Sequence, residues 1–351
     1  MTEVIRVDPA SPDPESIALA AACLRRGGLV AFPTETVYGL GVHALDRPAV
    51  LRLFAAKGRP ANDPLIVHVA SLVDVVPLVA ALPPHAELMA ERFWPGPLTL
   101  IMRRGSSVPS EVSAGLDTVA IRVPAHPVAR ALLRAAAIPV AAPSANLFSR
   151  PSPTRAEHVL EDLDGRIDML IDGGTANLGL ESTVLDLTVD PPCVLRAGAI
   201  GLETLRAVLP AATILAPRSS QDDSAPKISP GLLTKHYAPR APLTIYRGET
   251  DRAREALRLA ATAAIASGRR VGVLATREDA AALHSLPVVL GDLGREDSAE
   301  TVASRLYSAL RELDTARVDL VLARAIDQDE GLWRAIGDRL RRAATSVIDV
   351  P

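Results

Sequence analysis

This chain of 351 residues contains very few cysteines, aromatic residues and lysines. Its two cysteines, Cys23 and Cys193, are too few for a disulfide framework and match no metal-ligand spacing. Aromatic residues make up 3% of the chain, so stacking surfaces for RNA bases are scarce. Lysine accounts for only three of the 38 Lys and Arg residues. Because an ammonium and a guanidinium are not interchangeable in a tight site, each lysine is worth inspecting.

Long apolar runs and a strong net charge are also missing. No stretch of about 18 uncharged apolar residues occurs, and the acidic N-terminus lacks the apolar region of a signal peptide. The formal net charge of -3 provides no basic field for nucleic acid or an anionic membrane. We therefore expect a protein that is neither exported nor membrane-spanning and that works in the reducing cytoplasm.

The length and the hydrophobic pattern predict two α/β domains. Apolar runs that often end in Pro, Gly, Ser or Asn alternate with helical stretches over residues 1–210. The stretch 211–241 is rich in Pro, Ser and Asp without periodicity, which is typical of a linker. Four further strands alternate with helices over 242–351, the pattern of a small parallel sheet. Neither GxGxxG after its first strand nor GxxxxGK[ST] occurs, so the standard nucleotide fingerprints are absent.

Polar residues follow many of the strands predicted in the first 210 residues. Ligands of open α/β sheets collect where such loops gather, so these residues are candidates for one shared cleft. Cations and neutral hydrogen-bonding groups together suit a polyanion with a polar organic part, most simply a nucleotide triphosphate beside a small carboxylate. The cations are Lys57, Arg59, Arg122, Arg150 and Arg196, and the neutral groups are Thr34, Thr36, Ser144, Asn146, Ser182 and Thr183.

Several of these residues also have a plain structural interpretation. "KGR" after a helix is commonly a solvated turn, and the asparagine of "PSAN" can cap a helix. His68 alternates with apolar neighbours and by pattern alone fits a core histidine, whereas Arg122 within "TVAIRVP" must face water or find a partner. No GxSxG surrounds Ser144, and no HExxH occurs, so any Mg²⁺ would arrive with phosphates.

Motif identity takes the interpretation further. The segments "AFPTETVYGLG", "KGRPANDPLIVHV", "FWPGPLTLI", "GLDTVAIRVPAHP", "AAPSANLFSRPSPT", "GLESTVLD", "LRAGAI" and "KHYAPRAP" follow the order and spacing of the YrdC family. Together with the linker and the second domain, the chain resembles the long, two-domain threonylcarbamoyl-AMP synthases over essentially its whole length.

The resemblance implies a fold and an activity. The fold would be a twisted mixed α/β sheet with a large concave cavity, followed by a smaller Rossmann-like parallel domain, with the linker acting as a lid. The activity would be that of a nucleotidyltransferase that makes threonylcarbamoyl-adenylate and pyrophosphate from L-threonine, bicarbonate or CO₂, and ATP with Mg²⁺. A partner complex would then transfer the threonylcarbamoyl group to the adenosine beside the anticodon of tRNAs.

The resemblance also implies roles for individual residues. Lys57 and Arg59 would be catalytic and lie at the phosphates. The threonine and bicarbonate site would comprise Thr34, His68, Arg122, Ala142 and Ser182, with Glu35 and Tyr38 shaping its wall. ATP would be held by Lys57, Arg59, Asn62, Thr118, Ser144, Asn146, Arg150, Arg196 and Tyr237, with His236 and Tyr237 in the lid.

Three alternatives stay open. This chain reads "NDPLIVH" where the family has "NPLIVH", so either Asn62 or Asp63 fills the asparagine's place. A non-catalytic binder of tRNA or double-stranded RNA is the main rival, disfavoured by the sequence pI of about 6.2. A carbamoyl-adenylate-forming enzyme of hydrogenase maturation is the second rival, but the chain has no cysteine pairs for the zinc fingers of that class.

Both a monomer and a dimer are compatible with the sequence.

Overall fold

The computed structural model describes residues 1–215, 227–229, 236–326 and 328–351. The chain forms two compact units, which we call the N-terminal unit (Met1–Phe148 with Ser152–Thr234) and the C-terminal unit (Ser149–Pro151 with Lys235–Pro351). Much of the predicted linker and lid, 211–241, lies outside the described residues. None of the described helices combines the length and hydropathy needed to cross a bilayer.

The N-terminal unit is built on an eleven-stranded mixed sheet. Its strands are β1 (Glu3–Arg6), β2 (Val30–Phe32), β3 (Gly39–His43), β4 (Ile66–His68), β5 (Leu98–Arg103), β6 (Thr118–Arg122), β7 (Val140–Ala141), β8 (Met169–Asp172), β9 (Thr183–Asp186), β10 (Cys193–Arg196) and β11 (Thr213–Ile214). The spatial order is β1-β8-β2-β3-β7-β4-β6-β5-β9-β10-β11. In this order β4 and β6 are parallel, β5 is antiparallel to β6, and β9 is parallel to β5.

The helices of this unit begin and end at recognisable signals. Asp13 accepts a hydrogen bond from the Ser16 amide at the start of the first helix, and Asp46 caps the second through the Ala49 amide. Gly58, at φ 62°, adopts the left-handed conformation that ends the second helix directly after Lys57. The helices are α1 (Pro14–Arg25), α2 (Arg47–Lys57), α3 (Ala86–Phe93), α4 (Pro127–Ala136), α5 (Ala156–Leu163) and α6 (Leu202–Arg206), with a 3-10 helix at Val73–Leu78.

The two faces of the sheet are covered differently. Strand side chains alternate between faces, and one face packs against α2, α3, α5 and α6 along nearly its whole width. On the opposite face, α1 and α4 pack against β2, β7 and β8 and against Ile5 of the edge strand β1. Farther along this face, Ile66, Ala120, Ile101, Val184 and Leu195 form a separate small cluster that contains no helical residue among those described. We call this part of the sheet the open face, because no described helix packs against this cluster.

The C-terminal unit is a five-stranded parallel sheet. Its elements are β12 (Leu243–Arg247), α7 (Thr250–Ala266), β13 (Val271–Ala275), α8 (Arg277–Ala282), β14 (Val289–Asp292), α9 (Ala299–Thr315), β15 (Leu320–Arg324), α10 (Gly331–Ala343) and β16 (Ser346–Asp349). The strand order is β14-β13-β15-β12-β16 with every described pairing parallel. At the end of β15, the buried guanidinium of Arg324 pairs with Asp279, which also accepts from Arg254.

The predicted fold class is confirmed: a large mixed α/β sheet is joined to a smaller parallel α/β domain. The sequence analysis missed four strands. One of them, β11, is two residues long and falls within the stretch predicted to be a linker. β1 and β16 are short and mostly exposed, so they carry no apolar run. β3 begins inside the glycine-rich segment after β2, where glycines conceal the strand pattern.

Candidate functional site

Arg122 is the centre of a buried polar cluster at the end of β6. Its Nη2 donates to Glu35 Oε1 at 2.6 Å, its Nη1 to Thr36 Oγ1 at 3.0 Å, and its Nε to the Gly96 carbonyl at 3.2 Å. The other Glu35 oxygen accepts from the Ala125 amide at 3.0 Å. Burial, the largest single influence, would raise the pKa of Glu35, but the Arg122 charge acts together with hydrogen bonds from Arg122 and the backbone, and the net effect lowers that pKa. Glu35 is thus a carboxylate that fixes the guanidinium.

The loop between β2 and β3 is organised by Thr34. Its hydroxyl accepts from the amides of Thr36 and Val37 at 3.2 Å each and donates to the Val37 carbonyl at 2.6 Å. Tyr38 closes the loop by donating its hydroxyl to the Gly174 carbonyl at 2.6 Å. The sequence "PTETVYG" therefore folds into a rigid turn whose polar groups meet Arg122.

His68 and Ala142 lie beside this cluster. In the parallel register of β4 and β6, His68 is opposite Arg122, so both side chains are on the same face. Burial, with a smaller contribution from the Arg122 charge, lowers the pKa of His68 to about 3, and the ring is neutral at physiological pH. Ala142 follows β7, is buried, and donates its amide to the Ile66 carbonyl at 2.9 Å.

Lys57 holds the loop that follows β7. The ammonium at the end of α2 donates to the Ser144 carbonyl at 2.6 Å and also to the Asn146 carbonyl, while the Lys57 carbonyl accepts from the Phe148 amide at 2.9 Å. Burial, followed by the neighbouring Arg59 charge, lowers the pKa of Lys57 well below its ordinary value. The two predicted groups "KGR" and "PSAN" are thus in direct contact.

Arg59 is fixed by the segment that follows it. Its guanidinium pairs with Asp63 Oδ2 at 2.9 Å and donates to the Asp63 and Pro64 carbonyls. Asp63 is fully buried, whereas Asn62 is partly exposed and its carbonyl accepts from the Lys227 amide at 2.9 Å. Asp63 therefore serves Arg59, while Asn62 contacts the short described piece of the linker.

Ser182 and Arg196 form a second polar cluster, between β9 and β10. Arg196 donates to the Ser182 carbonyl through Nε at 3.2 Å and Nη2 at 3.0 Å, and to the Ser182 hydroxyl at 3.1 Å. The Ser182 hydroxyl also contacts the Thr99 hydroxyl at 2.8 Å. Sequence reasoning missed Thr99, although it stands in "FWPGPLTLI" and its alternation with Leu98 and Leu100 marks it as a polar residue on an otherwise apolar strand.

The remaining predicted residues occupy several places. Thr118 begins β6 and has the same strand parity as Arg122. Thr183 exchanges hydrogen bonds with Ile200 instead of joining the Ser182 cluster. Arg150 and Tyr237 belong to the C-terminal unit, where Arg150 pairs with Asp314 at 3.4 Å and Tyr237 packs on the ring of Tyr307.

Two of these polar clusters, around Arg122 and around Ser182, lie on or beside neighbouring strands, whereas Lys57 and Arg59 contact the loops that follow β7 and α2. Pro97 connects the Arg122 and Ser182 clusters, because its carbonyl accepts from the Thr183 amide while Gly96 beside it accepts from Arg122. In the described part of the chain, no group of three or more His, Cys, Asp or Glu residues could hold a metal ion. Of the buried acids near these clusters, Glu35 and Asp63 are paired with arginines, Glu181 accepts from the Ser152 hydroxyl at 2.6 Å, and Asp162 accepts from the Leu147 amide at 3.3 Å.

A separate cavity of about 420 Å³ lies near the C-terminal end of α4. It is lined mainly by apolar residues, among them Leu78, Leu133 and Ile138. None of the predicted site residues lines it, so it is distinct from the polar clusters described above.

The architecture and the polar clusters define a class: a mixed α/β protein whose open sheet face carries fixed cations and hydroxyls, suited to an anionic ligand. Residues 22–198 match the family described as telomere recombination (Sua5, YciO and YrdC), and residues 200–345 match the C-terminal domain of threonylcarbamoyl-AMP synthase. The chain belongs to this family.

Individual relatives resemble the chain along nearly its full length. It is 46% identical to threonylcarbamoyl-AMP synthase of Bacillus subtilis, covering 96% of this chain and 95% of the relative. The enzyme of the same name from Pyrococcus abyssi is 43% identical, with 93% and 94% covered. The crystal structure of Pyrococcus abyssi Sua5 complexed with L-threonine matches with a TM-score of 0.92 and 41% identity, and all of both chains is covered.

Proposed function

We propose that this chain is a threonylcarbamoyl-AMP synthase. It would join L-threonine, bicarbonate or CO₂, and ATP into threonylcarbamoyl-adenylate with release of pyrophosphate. The adenylate would then pass to a partner complex that modifies the adenosine beside the tRNA anticodon. Relatives that cover nearly the whole chain carry this name, and one of them was crystallised with L-threonine.

The observation that carries the proposal is the fixed set of cations around Arg122 and Lys57. Each is buried, and each is held by carbonyl, hydroxyl or carboxylate oxygens of the protein. Such preorganised charges are suited to phosphate and carboxylate groups, because they need little rearrangement when charge develops in the reaction. The neutral His68 beside Arg122 adds a hydrogen-bonding group without a competing charge.

The reaction would require positioning more than a protein nucleophile. A threonine carbamate is short-lived in water, so holding it next to ATP in a dry site can contribute about 7–11 kcal/mol. The carbamate oxygen would attack the α-phosphorus as pyrophosphate leaves. Lys57 and Arg59 would lie near the phosphates, and Mg²⁺ would enter with ATP, since no group of three or more His, Cys, Asp or Glu among the described residues could hold it.

The second set of nucleotide residues would come from Thr118, Ser144, Asn146 and Arg196, with Arg150 and Tyr237 as further contacts. His236 and Tyr237 form the chain's one His-Tyr dipeptide and would belong to the lid. Ala142 and Ser182 would contact the amino acid together with Thr34.

The test is the formation of the threonylcarbamoyl-adenylate by purified protein, followed by mass spectrometry and by pyrophosphate release. Product should require ATP, L-threonine and bicarbonate together. Arg122→Lys should abolish most of it, because a lysine cannot reproduce the fork that contacts Glu35, Thr36 and Gly96. Arg47→Lys, at an exposed arginine of α2, is the matched control and should retain activity.

Pyrophosphate release that does not depend on threonine would contradict the proposal. So would tRNA binding with no turnover of ATP, which would favour the RNA-binding alternative.

A further inference from the structure

Thr99 is a buried hydroxyl-bearing residue that no predicted role includes. It is the second residue of β5 and has no exposed surface. Its register partner in the parallel strand β9 is Val184, which places Ser182 two residues earlier on the same face. Among the residues that the structure describes, Ser182 Oγ is the hydrogen-bond partner of the Thr99 hydroxyl, at 2.8 Å.

The position of the Thr99 hydroxyl is tightly determined. A β-branched side chain in a strand has few accessible χ1 rotamers. Both strands are also fixed at this point, because the Thr183 amide donates to the Pro97 carbonyl at 3.0 Å. The hydrogen bond between Thr99 Oγ1 and Ser182 Oγ therefore has one fixed geometry.

The donors around Ser182 determine where its own proton points. A guanidinium can only donate, so Arg196 Nη2 at 3.1 Å uses one lone pair of Ser182 Oγ. If Ser182 donated to Thr99, the hydroxyl proton of Thr99 would be buried without a described acceptor. A buried donor without an acceptor lowers the stability of the folded protein. If Thr99 donates instead, Ser182 Oγ accepts twice and its proton is directed to a third position. Among the described residues, Arg196 and Thr99 are the hydrogen-bond partners of Ser182 Oγ, so this proton is available to a ligand.

We propose that Thr99 is a positioning residue that makes Ser182 a hydrogen-bond donor to an acceptor oxygen of the amino-acid substrate. The acceptor would be a carboxylate or carbamate oxygen. Either oxygen can accept the Ser182 hydroxyl proton, which neither Arg196 nor Thr99 accepts when both donate to Ser182 Oγ. The inference rests on the proposed function, since it assumes that threonine binds beside Ser182.

The central variant is Thr99→Val, which preserves shape and removes the hydroxyl. The KM for threonine should rise about tenfold, as expected for a misdirected hydrogen bond to a charged group, while the KM for ATP and kcat change little. Thr99→Ser should restore most of the threonine affinity, because it returns the hydroxyl. In a Ser182→Ala background, Thr99→Val should have no further effect on the threonine KM.

Thr276→Val is the matched control. Thr276 is also buried, but its hydroxyl caps α8 by accepting from the Asp279 amide at 3.3 Å. This variant should lower the unfolding temperature and leave the threonine KM unchanged. If Thr99→Val behaves in the same way, Thr99 is only structural and the inference is wrong.

A binding measurement separates this inference from the proposed reaction. L-Threonine alone should raise the unfolding temperature of the wild-type protein and of Thr99→Ser, and should do so much less for Thr99→Val. Stabilisation by threonine without adenylate formation would overturn the reaction and leave the role of Thr99 standing. Equal stabilisation of wild type and Thr99→Val, or none in the wild type, would overturn the role of Thr99.

Discussion

The buried cations of the N-terminal unit have partners of two chemical kinds. Arg122 and Arg59 face carboxylates, whereas Lys57 and Arg196 face mainly backbone carbonyls. The nearby Asp162 and Asp63 carboxylates also act on the charge of Lys57. Glu35 and Asp63 fix the geometry of Arg122 and Arg59, whereas the Ser144 and Ser182 carbonyls hold Lys57 and Arg196 in place.

Replacement of Lys57 should therefore damage both stability and chemistry. Lys57→Met would leave the Ser144 and Asn146 carbonyls without their donor, which costs about 1–3 kcal/mol for each buried group left unpaired. We expect a lower denaturant midpoint and a kcat that falls much more than threonine affinity. Arg52→Met, at an exposed position of the same helix, should change the free energy of unfolding by less than about 1 kcal/mol. Equal losses in kcat and threonine affinity for Lys57→Met would argue against a role at the phosphates.

His68 should make the protein sensitive to mild acid. Its folded pKa is lowered to about 3, so the unfolded chain takes up a proton below its ordinary pKa of about 6.5 while the folded chain does not. This contribution does not change above about pH 6.5, and stability declines as the pH falls from there toward 3. In His68→Phe, denaturant unfolding should show a smaller loss of stability between pH 7 and pH 5 than in the wild type. An unchanged pH dependence would mean that His68 is protonated in the folded protein.

At the scale of the element, strand pairing positions one part of the site. β4, β6, β5 and β10 carry His68, Arg122, Thr99 and Arg196, and Ser182 directly precedes β9. Helices and most buried strands could be predicted from the sequence, since α4 and β6 carry clear apolar periodicity and α2 ends at Gly58. The pairing order could not, because β7 joins β4 to β3 by contacts distant in sequence.

The same limit explains which parts of the site were predicted. Thr34, Lys57 and Arg122 were identified through motifs, but their partners Thr36, Ser144 and Glu35 became evident as partners only through the fold. Thr99 was missed because threonine is common in strands, so its alternation with leucines does not by itself indicate a functional role, and its contact with Ser182 is evident only in the fold.

Gly198 tests how closely β10 must approach the Ser182 segment. A Cβ at this position would collide with backbone atoms of Ser182 and Thr183 and with the Glu181 carbonyl. Gly198→Ala should therefore cost about 1–3 kcal/mol and raise the threonine KM, because the displaced segment carries Ser182. Gly337→Ala, inside α10 where the nearest atom is a flexible arginine end at 3.5 Å, should be neutral or slightly stabilising. Urea denaturation and steady-state kinetics would compare the two variants.

At the scale of the whole molecule, the net charge determines which partners the protein can attract from a distance. A net charge of -3 and a pI near 6.2 give the chain no overall attraction to RNA, so the cations of the site act locally. The C-terminal unit adds buried ion pairs, such as Arg324 with Asp279, but these are internally compensated.

We therefore expect free tRNA to bind weakly to the isolated protein. Binding measured by fluorescence anisotropy at low salt should stay well above micromolar Kd, since few phosphates would be neutralised. A tight complex whose affinity falls steeply with salt would show that a basic surface exists despite the net charge, and would reinstate the RNA-binding alternative.

The open face makes the site unusually intolerant of changes in chain length. Its functional side chains project from strands in which every second residue points the opposite way, so Arg122 and Thr99 have Ile121 and Leu100 as neighbours that point into the apolar core. One residue added within β5 or β6 would exchange the two sets, placing charge in the core and leucine at the substrate. Point substitutions can tune this enzyme's chemistry gradually, whereas a single-codon insertion in either strand should end folding and activity together.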